Sequence, residues 1–382
     1  MLKNSHDKVK KLFYLYFYVF EMQFIPIVGF KIINEGRLLV FPIILFFVAF
    51  CSIWHFLYEV KSLENIFDIA TNINFLVVSF QILFTNAVVN IGLKPYHLRV
   101  QKYFENIVES SDEFISEARE RLLSKNLQMA YLGTRGFFIF FSVAAQLFPV
   151  TGLIRTNYVS PNYYRIPGIP ATNIFFYPVN IIIQFLLFWC VLVLYVGMDC
   201  LFVIYLLYFR GEMQSITAVV KLLTEKENLN SNCDRILRSI YGAHREILEE
   251  FSNFLPVLWH FYCHKLLAVS LLMCTCFFGY LQTNSLANGM IMQMMATSLL
   301  VILCVPGQLI YNCSEELRET LYESLWYEMK PKDQRNFLMI FNGVHRSVKA
   351  ETIGIEKISF STMVQGIKTA IAYIAFIYAV LF

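Results

Sequence analysis

Seven runs of mostly apolar residues recur along this chain of 382 residues. A hydrocarbon core about 30 Å thick needs roughly 20 apolar residues in helical conformation, so each run is long enough to cross a bilayer. Charged residues make up only 15% of the chain, against about 25% in soluble domains. The sequence therefore predicts an all-α membrane protein with seven transmembrane helices. The predicted spans are residues 37–57, 73–93, 129–154, 174–208, 257–282, 290–311 and 359–382.

The basic residues lie almost entirely on one side of the predicted spans. The segments before the first span and after the second, fourth and sixth spans carry five, six, six and seven Lys and Arg residues, 24 of the chain's 31. The other loops carry three, namely Lys61, Arg155 and Arg165. Because cytoplasmic loops are enriched in Lys and Arg, this pattern predicts a cytoplasmic N-terminus and an extracellular C-terminus. Seven-helix receptors that couple to G proteins have the opposite orientation.

Composition and motifs argue against several classes of function. The net charge of +3, with no basic run interleaved with aromatics, argues against nucleic-acid binding. The chain has no glycine-rich phosphate loop, no His-Glu-x-x-His and no nucleophile in a recognisable setting, so we predict no enzyme activity and no cofactor. The nine cysteines lie in spans or on the cytoplasmic side, and Cys274-x-Cys276 lacks His or carboxylate partners. They therefore predict neither an outer-loop disulfide nor a metal site.

The cytoplasmic segments carry amphipathic helical patterns. The fourth apolar run would be near 50 Å long as a helix, so we expect it to continue into the cytosol. Before the fifth span, apolar residues recur at helical spacing from Ile236 to Phe254 among acids and bases. After the sixth span, Ser314 is predicted to cap a new helix. That helix would carry an apolar stripe formed by Leu317, Leu321, Leu325 and Met329.

These cytoplasmic stripes have two interpretations. They pack together as a helical layer beneath the membrane, within and between subunits, or they lie on the lipid headgroups. The polar faces mix acidic with basic residues rather than being rich in lysine. This mixture favours packing.

Few ionisable residues lie within the predicted spans. Asp199 is about 25 residues from the outer end of the fourth run, and pairing with another residue is the favoured interpretation. Arg135, Lys265, His55, His260 and His264 lie near span ends, where we expect their polar ends to reach the membrane interface. Acids and histidines suited to a proton relay are missing near the midplane of the spans.

The last span combines two seams at helical spacing. One is apolar and runs from Phe360 to Leu381, and the other is made of small and polar residues. Small residues let helices approach closely, whereas a face toward water suits a pore lining, and both interpretations stay open at this point. The small and polar seam consists of Ser361, Gln365, Lys368, Ala372, Ala375 and Ala379.

The outer halves of four spans are rich in aromatic residues and Met, with a few hydroxyl or amide groups. Such residues suit an apolar pocket for a small molecule, with few polar groups to orient it, but they also occur in any membrane bundle. The candidate ligand-binding residues are Phe75, Ser79, Ser142, Gln146, Pro149, Phe176, Tyr177, Ile181, Met290, Met294 and Thr297.

Spaced residues in the C-terminal third resemble those of a known family. They are Pro306-Gly307-Gln308, Ser314, Leu317, Tyr322, Trp326, Arg346-Ser347, Gly354 and Tyr373. Together with the length and the inverted seven-helix plan, they resemble the insect odorant receptor family. One departure is Lys349-Ala350, where many members have Lys-Pro. Gustatory receptors are disfavoured because no Gln follows Ala372-Tyr373, and the odorant co-receptor is disfavoured because residues 209–256 are too few for its long second cytoplasmic loop.

The resemblance implies a ligand-tuning subunit of an odorant-gated, nonselective cation channel. In that family the channel is a heterotetramer with the co-receptor, in the plasma membrane and here expected in the dendrite of an olfactory sensory neuron. Its implied partners are a small volatile odorant, the co-receptor and membrane lipid. The alternatives are a gustatory-type receptor channel or a metabotropic seven-helix chemoreceptor.

The resemblance also implies roles for particular residues. The last span would line the central pore, with a constriction at Phe376 near its outer end. The residues implied for the pore and gate are Gln365, Lys368, Ala372, Tyr373, Phe376, Ile377 and Val380. The residues implied for the cytoplasmic anchor and for subunit contacts are Leu317, Leu321, Tyr322, Leu325 and Trp326.

These expectations divide the chain into six regions. Residues 1–36 form a cytoplasmic arm with an interfacial helix, and 37–208 form a ligand-binding bundle of four spans. Residues 209–256 form a cytoplasmic loop with a helical extension, followed by two spans in 257–311. Residues 312–358 form the anchor helix and a connector, and 359–382 form the pore-lining helix.

Overall fold

The structure is a computed structural model in which the chain is almost entirely helical. It describes residues 2–21, 25–26, 37–38, 40–59, 66–105, 113–155, 162, 166–168, 174, 176–282, 286–344, 348–355 and 357–381, apart from some side chains within the helices. The helices are α1 (Leu2–Glu21), α2 (Val40–Trp54), α3 (Ile66–Ala87), α4 (Lys94–Glu105), α5 (Glu113–Ala118), α6 (Ser124–Arg155), α7 (Phe176–Lys221), α8 (Lys226–Ser231), α9 (Cys233–Gln282), α10 (Leu286–Glu323), α11 (Pro331–Val344) and α12 (Phe360–Leu381).

Short elements of other types connect these helices. Two antiparallel strands of two residues each, β1 (Ile25–Pro26) and β2 (Arg37–Leu38), pair before α2. The remaining elements are π-helical turns at His55–Glu59, Val88–Gly92 and Arg119–Leu123, and 3-10 turns at Leu222–Thr224 and Trp326–Glu328.

The described parts of all seven predicted spans lie almost wholly on helices. The first, second, third and seventh lie on α2, α3, α6 and α12, and the fourth, fifth and sixth on α7, α9 and α10. Among the described residues, three helices are long and apolar enough to cross a membrane by length and composition, and two shorter helices are apolar. The three are Pro178–Thr224, Cys233–Thr275 and Gln293–Glu328, and the shorter two are Ile43–Tyr58 and Asn72–Ala87.

Helix α7 forms the centre of the bundle. It runs for 46 residues, or about 69 Å, so the predicted extension beyond the bilayer is confirmed. It packs against α1, α6, α9 and α10, and every residue from 194 to 209 is buried. An apolar helix that is buried on all sides serves as the core of a bundle rather than as one wall of it.

Helix α9 is also continuous: its 50 residues include both the segment before the fifth span and the described span itself. The apolar stripe predicted from Ile236 to Phe254 is buried, as its helical spacing indicated. Helix α9 packs on α7 through stacked aromatic rings, with the Phe209 and Phe254 centroids 5.8 Å apart and, beyond the stripe, the Phe202 and Phe261 centroids 3.8 Å apart. The two longest helices therefore share one continuous core.

The C-terminal end of α10 differs from the sequence expectation at Ser314. This residue lies inside the continuous helix rather than at its N-cap, because the helix of the sixth span continues without a break to Glu323. Its hydroxyl instead accepts a hydrogen bond of 2.9 Å from the backbone N–H of Val348. Ser314 thus attaches the connector before α12 to α10.

The predicted anchor residues are in two environments. Leu317 and Leu321 are buried and Leu325 is half-buried, which favours packing of this stripe over headgroup contact. Trp326 stacks on Phe337 of α11 with the ring planes 6° apart, at a centroid distance of 6.2 Å. Tyr322 is 72% exposed, so it faces away from the rest of this chain.

A close approach explains the glycine of Pro306-Gly307-Gln308. A Cβ atom added at Gly307 would lie 2.7 Å from the carbonyl oxygen of Ile358, well inside contact distance. The next residue, Gln308, accepts a hydrogen bond of 3.3 Å from the backbone N–H of Phe360. The motif therefore holds the first turn of α12 against α10. Arg346-Ser347 lies outside the described residues.

A buried ion pair joins α7 to the π-helical turn before α6, in the region predicted to be cytoplasmic. Arg119 and Glu212 are 2.8 Å apart, and both side chains are almost fully buried. Burial raises the pKa of Glu212 above its usual range, with Arg119 opposing that shift. The pair satisfies two charges that would be costly to bury alone.

Candidate functional site

A cavity lies among five helices in the half of the bundle that the predicted topology places outside. Helices α3, α6, α7, α9 and α10 line it, and its volume is about 90 Å³. Its wall is mainly apolar and aromatic. The lining includes Asn74, Phe75, Phe141, Phe188, Tyr195 and Leu299. A small, mainly apolar cavity has the character of a small-molecule site.

Two lining residues carry polar groups. The Oδ1 atom of Asn74 accepts a hydrogen bond of 2.6 Å from the Thr275 hydroxyl, which joins α3 to α9 beside the cavity. The hydroxyl of Tyr195 is buried and has no hydrogen-bond partner among the described residues. Both groups differ from the rest of the wall, which offers dispersion contacts alone.

A buried ion pair adjoins the cavity at Tyr195. The Lys265 ammonium lies 2.9 Å from Asp199 Oδ1, donates to the Tyr195 carbonyl oxygen at 3.3 Å, and sits 3.0 Å from the centroid of the Tyr195 ring. Tyr195 and Asp199 are one helical turn apart, so they present the ring and the counterion on the same face of α7. The ring, the ammonium and the carboxylate thus form one unit between α7 and α9.

The ion pair confirms one sequence-based interpretation and corrects another. Asp199 is paired, as expected for an acid in an apolar helix. Lys265 does not extend toward the membrane interface as predicted, because its side chain is 1% exposed and directed into the bundle. Its counterion is remote in sequence, so no local pattern could have indicated the pairing.

The outer end of α7 is fastened to the preceding loop by amide groups. The side-chain oxygen of Gln184 accepts from the backbone N–H of Asn162 at 3.1 Å, and Asn162 Nδ2 donates to the Gln184 carbonyl oxygen at 2.9 Å. Gln184 in turn donates to Asn180 at 2.8 Å, and all three residues are buried. These hydrogen bonds satisfy buried polar groups within the bundle rather than presenting them to a ligand.

The predicted ligand-binding residues fall in several places. Phe75 lines the cavity, and Ser79 is buried one turn further along α3. Ser142, Gln146 and Pro149 follow the cavity residue Phe141 along α6 but do not line the cavity. Phe176 and Ile181 lie at the start of α7, where Phe176 is buried. Tyr177 and Met290 lie on described helices, but their side chains are outside the described part.

Met294 and Thr297 line a different concavity. It is an open groove of about 700 Å³ between α6, α7 and α10, and Met294 is 60% exposed there. The groove wall includes Phe137, Phe140 and Val301 and is almost wholly apolar. Because the groove opens on the apolar outer surface of the bundle, its setting suits contact with lipid.

The cavity residues that the sequence analysis missed follow a readable pattern. Phe188, Val191, Leu192 and Tyr195 are spaced as one face of a helix, with intervals of three, one and three residues. This stripe was hidden because α7 is apolar on every face. Asp199 continues the same face one turn beyond Tyr195. Its charge was the one feature of the sequence that could have indicated which face of α7 points into the bundle.

The predicted pore residues lie on the surface of the chain. Helix α12 packs on α9 and α10 through a face that includes Thr362, Gly366 and Ala370. The small and polar seam lies on a different face of α12. Among the described residues, it therefore does not pack closely against another helix. Gln365, Lys368, Ala372, Tyr373 and Phe376 are all exposed, and Phe376 is 66% exposed. The side chains of Ile377 and Val380 lie outside the described part.

Metal binding finds no support in the part of the chain that the structure describes. No group of three His, Cys, Asp or Glu side chains there could hold a metal ion. The described cysteines are free, and five of the eight are buried.

Comparison with a family model decides the identity of the chain. The model described as 7tm Odorant receptor matches residues 96–371, well over half of the sequence. The chain belongs to the odorant receptor family. With its several apolar helices, this odorant receptor is a multi-pass membrane protein. No curated protein sequence matches it.

Two solved structures are similar to this odorant receptor. One is described as the insect olfactory receptor OR5 from Machilis hrabei in complex with eugenol, with a TM-score of 0.77, 10% identity and 99% of each chain covered. The other is the same olfactory receptor described without a ligand, with a TM-score of 0.76, 10% identity and 98% of each chain covered. At this identity the likeness establishes the fold, which is that of insect odorant receptors over the whole chain.

The ion pair beside the cavity yields a prediction about stability. Lys265→Met should lower the free energy of unfolding by about 3–5 kcal/mol, because it leaves the Asp199 carboxylate buried without a counterion. Adding Asp199→Asn should recover most of that loss. Thermal unfolding of the detergent-purified receptor measures both effects.

A matched control is Lys368→Met, the same change at an exposed position of α12. It should leave the unfolding temperature unchanged. An unfolding temperature for Lys265→Met equal to that of wild type would show that the pair does not hold the bundle together.

Proposed function

We propose that this odorant receptor is the ligand-binding subunit of an odorant-gated, nonselective cation channel. The observation that carries the proposal is the apolar cavity among α3, α6, α7, α9 and α10. Its occupant would be a small, volatile, mainly apolar molecule. Eugenol, named with one of the similar structures, is a molecule of this kind.

Affinity in such a cavity comes mainly from apolar burial. Burying about 200 Å² of odorant at about 25 cal/mol per Å² gives roughly 5 kcal/mol before the entropy lost on binding. Binding is therefore micromolar or weaker, and selectivity follows the shape of the wall. Phe75, Phe141 and Phe188 supply most of its rigid surface.

The pore would be lined by α12 in an assembly of four subunits. The face of α12 that includes Gln365, Lys368, Ala372 and Phe376 is left unpacked by the described part of the chain. Assembly with the co-receptor around a central axis would cover this face, with Phe376, Ile377 and Val380 at an apolar constriction near the outer end. Tyr373 lies close to that constriction. The exposed Tyr322 would contribute to subunit contacts in the anchor layer.

Gating in this proposal is a population shift. An odorant that fits the cavity better when α12 has moved outward stabilises the open arrangement by the difference in its affinity for the two states. Helices α9 and α10 line the cavity and also carry α12, so they connect the two sites. Dilation and wetting of the constriction would then admit cations. The receptor would act in the plasma membrane, in the dendrite of an olfactory neuron.

Filling the cavity tests the ligand site. Leu299→Trp places a larger ring in the cavity, so the odorant concentration for half-maximal current should rise at least tenfold. Currents evoked by a direct agonist of the co-receptor should stay unchanged. Recording from cells that express this chain with the co-receptor, over an odorant panel, measures both.

The matched control is Val301→Trp, two residues along α10 on the wall of the open groove. It should leave odorant sensitivity unchanged. Equal loss of sensitivity in both variants would place the odorant outside the cavity.

Truncation of the constriction tests the pore assignment. Phe376→Ala should raise the resting current or change ion selectivity, because it removes the large apolar side chain that keeps the closed pore dry. The control is Phe360→Ala, the same truncation of an exposed phenylalanine at the other end of α12. If leak, selectivity and block all match wild type in Phe376→Ala, the constriction lies elsewhere.

A further inference from the structure

The groove between α6, α7 and α10 has a basic group at one end. Met129 belongs to the groove wall, and the Nη1 atom of Arg210 lies 3.8 Å from its sulfur. Val203 and Leu207, also in the wall, precede Arg210 by seven and three residues, so these three residues share one face of α7. The apolar wall of the groove therefore leads directly to a guanidinium group.

This guanidinium is held in position by Asn126 of α6. Arg210 Nη1 donates to Asn126 Oδ1 at 3.1 Å, and Asn126 Nδ2 donates in turn to the Leu122 carbonyl oxygen at 2.9 Å and to Gln214 Oε1 at 2.7 Å. Asn126 is buried, whereas Arg210 is half-buried. A guanidinium has five N–H donors, and only those on Nη1 are used among the described residues. Donors on the other two nitrogens are thus left for a ligand.

The positive charge of Arg210 is not balanced by an ion pair within the described residues. Glu212, two residues further along α7, is already paired with Arg119. A second cation lies at the same end of the groove, because Lys125 is one turn before Met129 on α6. Lys125 is exposed and likewise makes no ion pair with a described residue. Two unpaired cations at the end of an apolar groove complement an anionic group such as a phosphate.

The basic end of the groove coincides with the predicted cytoplasmic boundary of three spans. The predicted spans 129–154, 174–208 and 290–311 each begin or end at this level, and Lys125 and Arg210 lie about one helical turn or less outside them. In the predicted topology this is the level of the cytoplasmic headgroups, where the anionic lipids of a membrane are concentrated.

The length and wall of the groove suit a hydrocarbon chain. From Met294 to Leu309 on α10 it extends about 22 Å, more than the roughly 15 Å of one leaflet's hydrocarbon. Large apolar side chains of the wall are between 40% and 60% exposed, namely Met129, Phe140, Met294 and Val301. A chain lying in the groove would cover apolar surface that the rest of the protein leaves open.

We propose that this groove binds an anionic phospholipid of the cytoplasmic leaflet, with one acyl chain along the groove and the headgroup phosphate at Arg210 and Lys125. The groove and the proposed odorant cavity share no lining residue. The lipid site is therefore separate from the proposed function and does not rest on it.

Two lipids with identical acyl chains and different headgroups test the charge of the site. The detergent-purified receptor is incubated with equal amounts of phosphatidylserine and phosphatidylcholine, and the lipids it retains are identified by native mass spectrometry. Wild type should retain at least about fivefold more phosphatidylserine, since one basic group near a membrane surface favours an anionic lipid by about that factor. This comparison needs no variant and so does not depend on the folding of one.

Neutral variants locate the headgroup. Arg210→Gln should remove most of the preference for phosphatidylserine, and Lys125→Gln, at an exposed side chain that makes no hydrogen bond or ion pair with a described residue, should reduce it. The control is Arg335→Gln, the same charge change at an exposed position of α11 away from the groove. It should keep the wild-type preference.

Two glycines of α6 locate the acyl chain. A Cβ atom added at Gly133 or at Gly136 would meet nothing within 4 Å, so both positions accept a larger side chain, but only Gly133 lines the groove. Gly133→Leu should lower retention of both lipids roughly fivefold, because its side chain occupies the path of the acyl chain. Gly136→Leu should retain both lipids as wild type does. Thermal unfolding of each variant verifies that it is folded.

Several results would overturn the inference. Equal retention of the two lipids by wild type would reject the anionic site, and so would an unchanged preference in both Arg210→Gln and Lys125→Gln. Unchanged retention in Gly133→Leu would place the acyl chain outside the groove. Release of the bound lipid by an activating odorant would assign the groove to the odorant instead. The first three results leave the odorant cavity standing, because Leu299→Trp tests that cavity separately through odorant-evoked current.

Discussion

The ion pair of Lys265 with Asp199 is the constraint on which the membrane half of this receptor depends. Two charges in an apolar bundle are tolerated only when they meet, so the pair fixes the relative positions of α7 and α9. Tyr195 completes the unit because its ring covers the ammonium. The cavity lies beside that ring, and the stacked Phe202 and Phe261 lie further along the same two helices. The shape of the cavity is therefore tied to the core beneath it.

Continuity of the long helices supports the proposed route from the cavity to α12. Helices α7, α9 and α10 each run on from the cavity without interruption, and α12 rests on the last two. Gly307 and Ser314 fasten the connector before α12 to α10 at close range. A small change in packing at the cavity would thus be carried by rigid helices to α12, which is how packed elements transmit motion.

Much of the fold could be predicted from the sequence, because lipid imposes long apolar runs on the helices that cross it. Features that depend on residues distant in sequence could not. Lys265 was misplaced because its partner lies on another helix, and Ser314 because a local capping signal is overridden by a helix that continues through it. Of the predicted ligand-binding residues, Phe75 lines the cavity and Met294 lines the groove, and their contact with a ligand stays a prediction. Which face of an apolar helix points inward is decided by packing.

The central claim is that the odorant occupies the cavity lined by Phe75 and Phe188 rather than the groove between α6, α7 and α10. A structure of this receptor assembled with the proposed co-receptor and an activating odorant tests it most directly. The account predicts ligand density in the cavity beside Tyr195 and Phe75. Density confined to the groove lined by Phe137 and Val301, with the cavity empty, would contradict it.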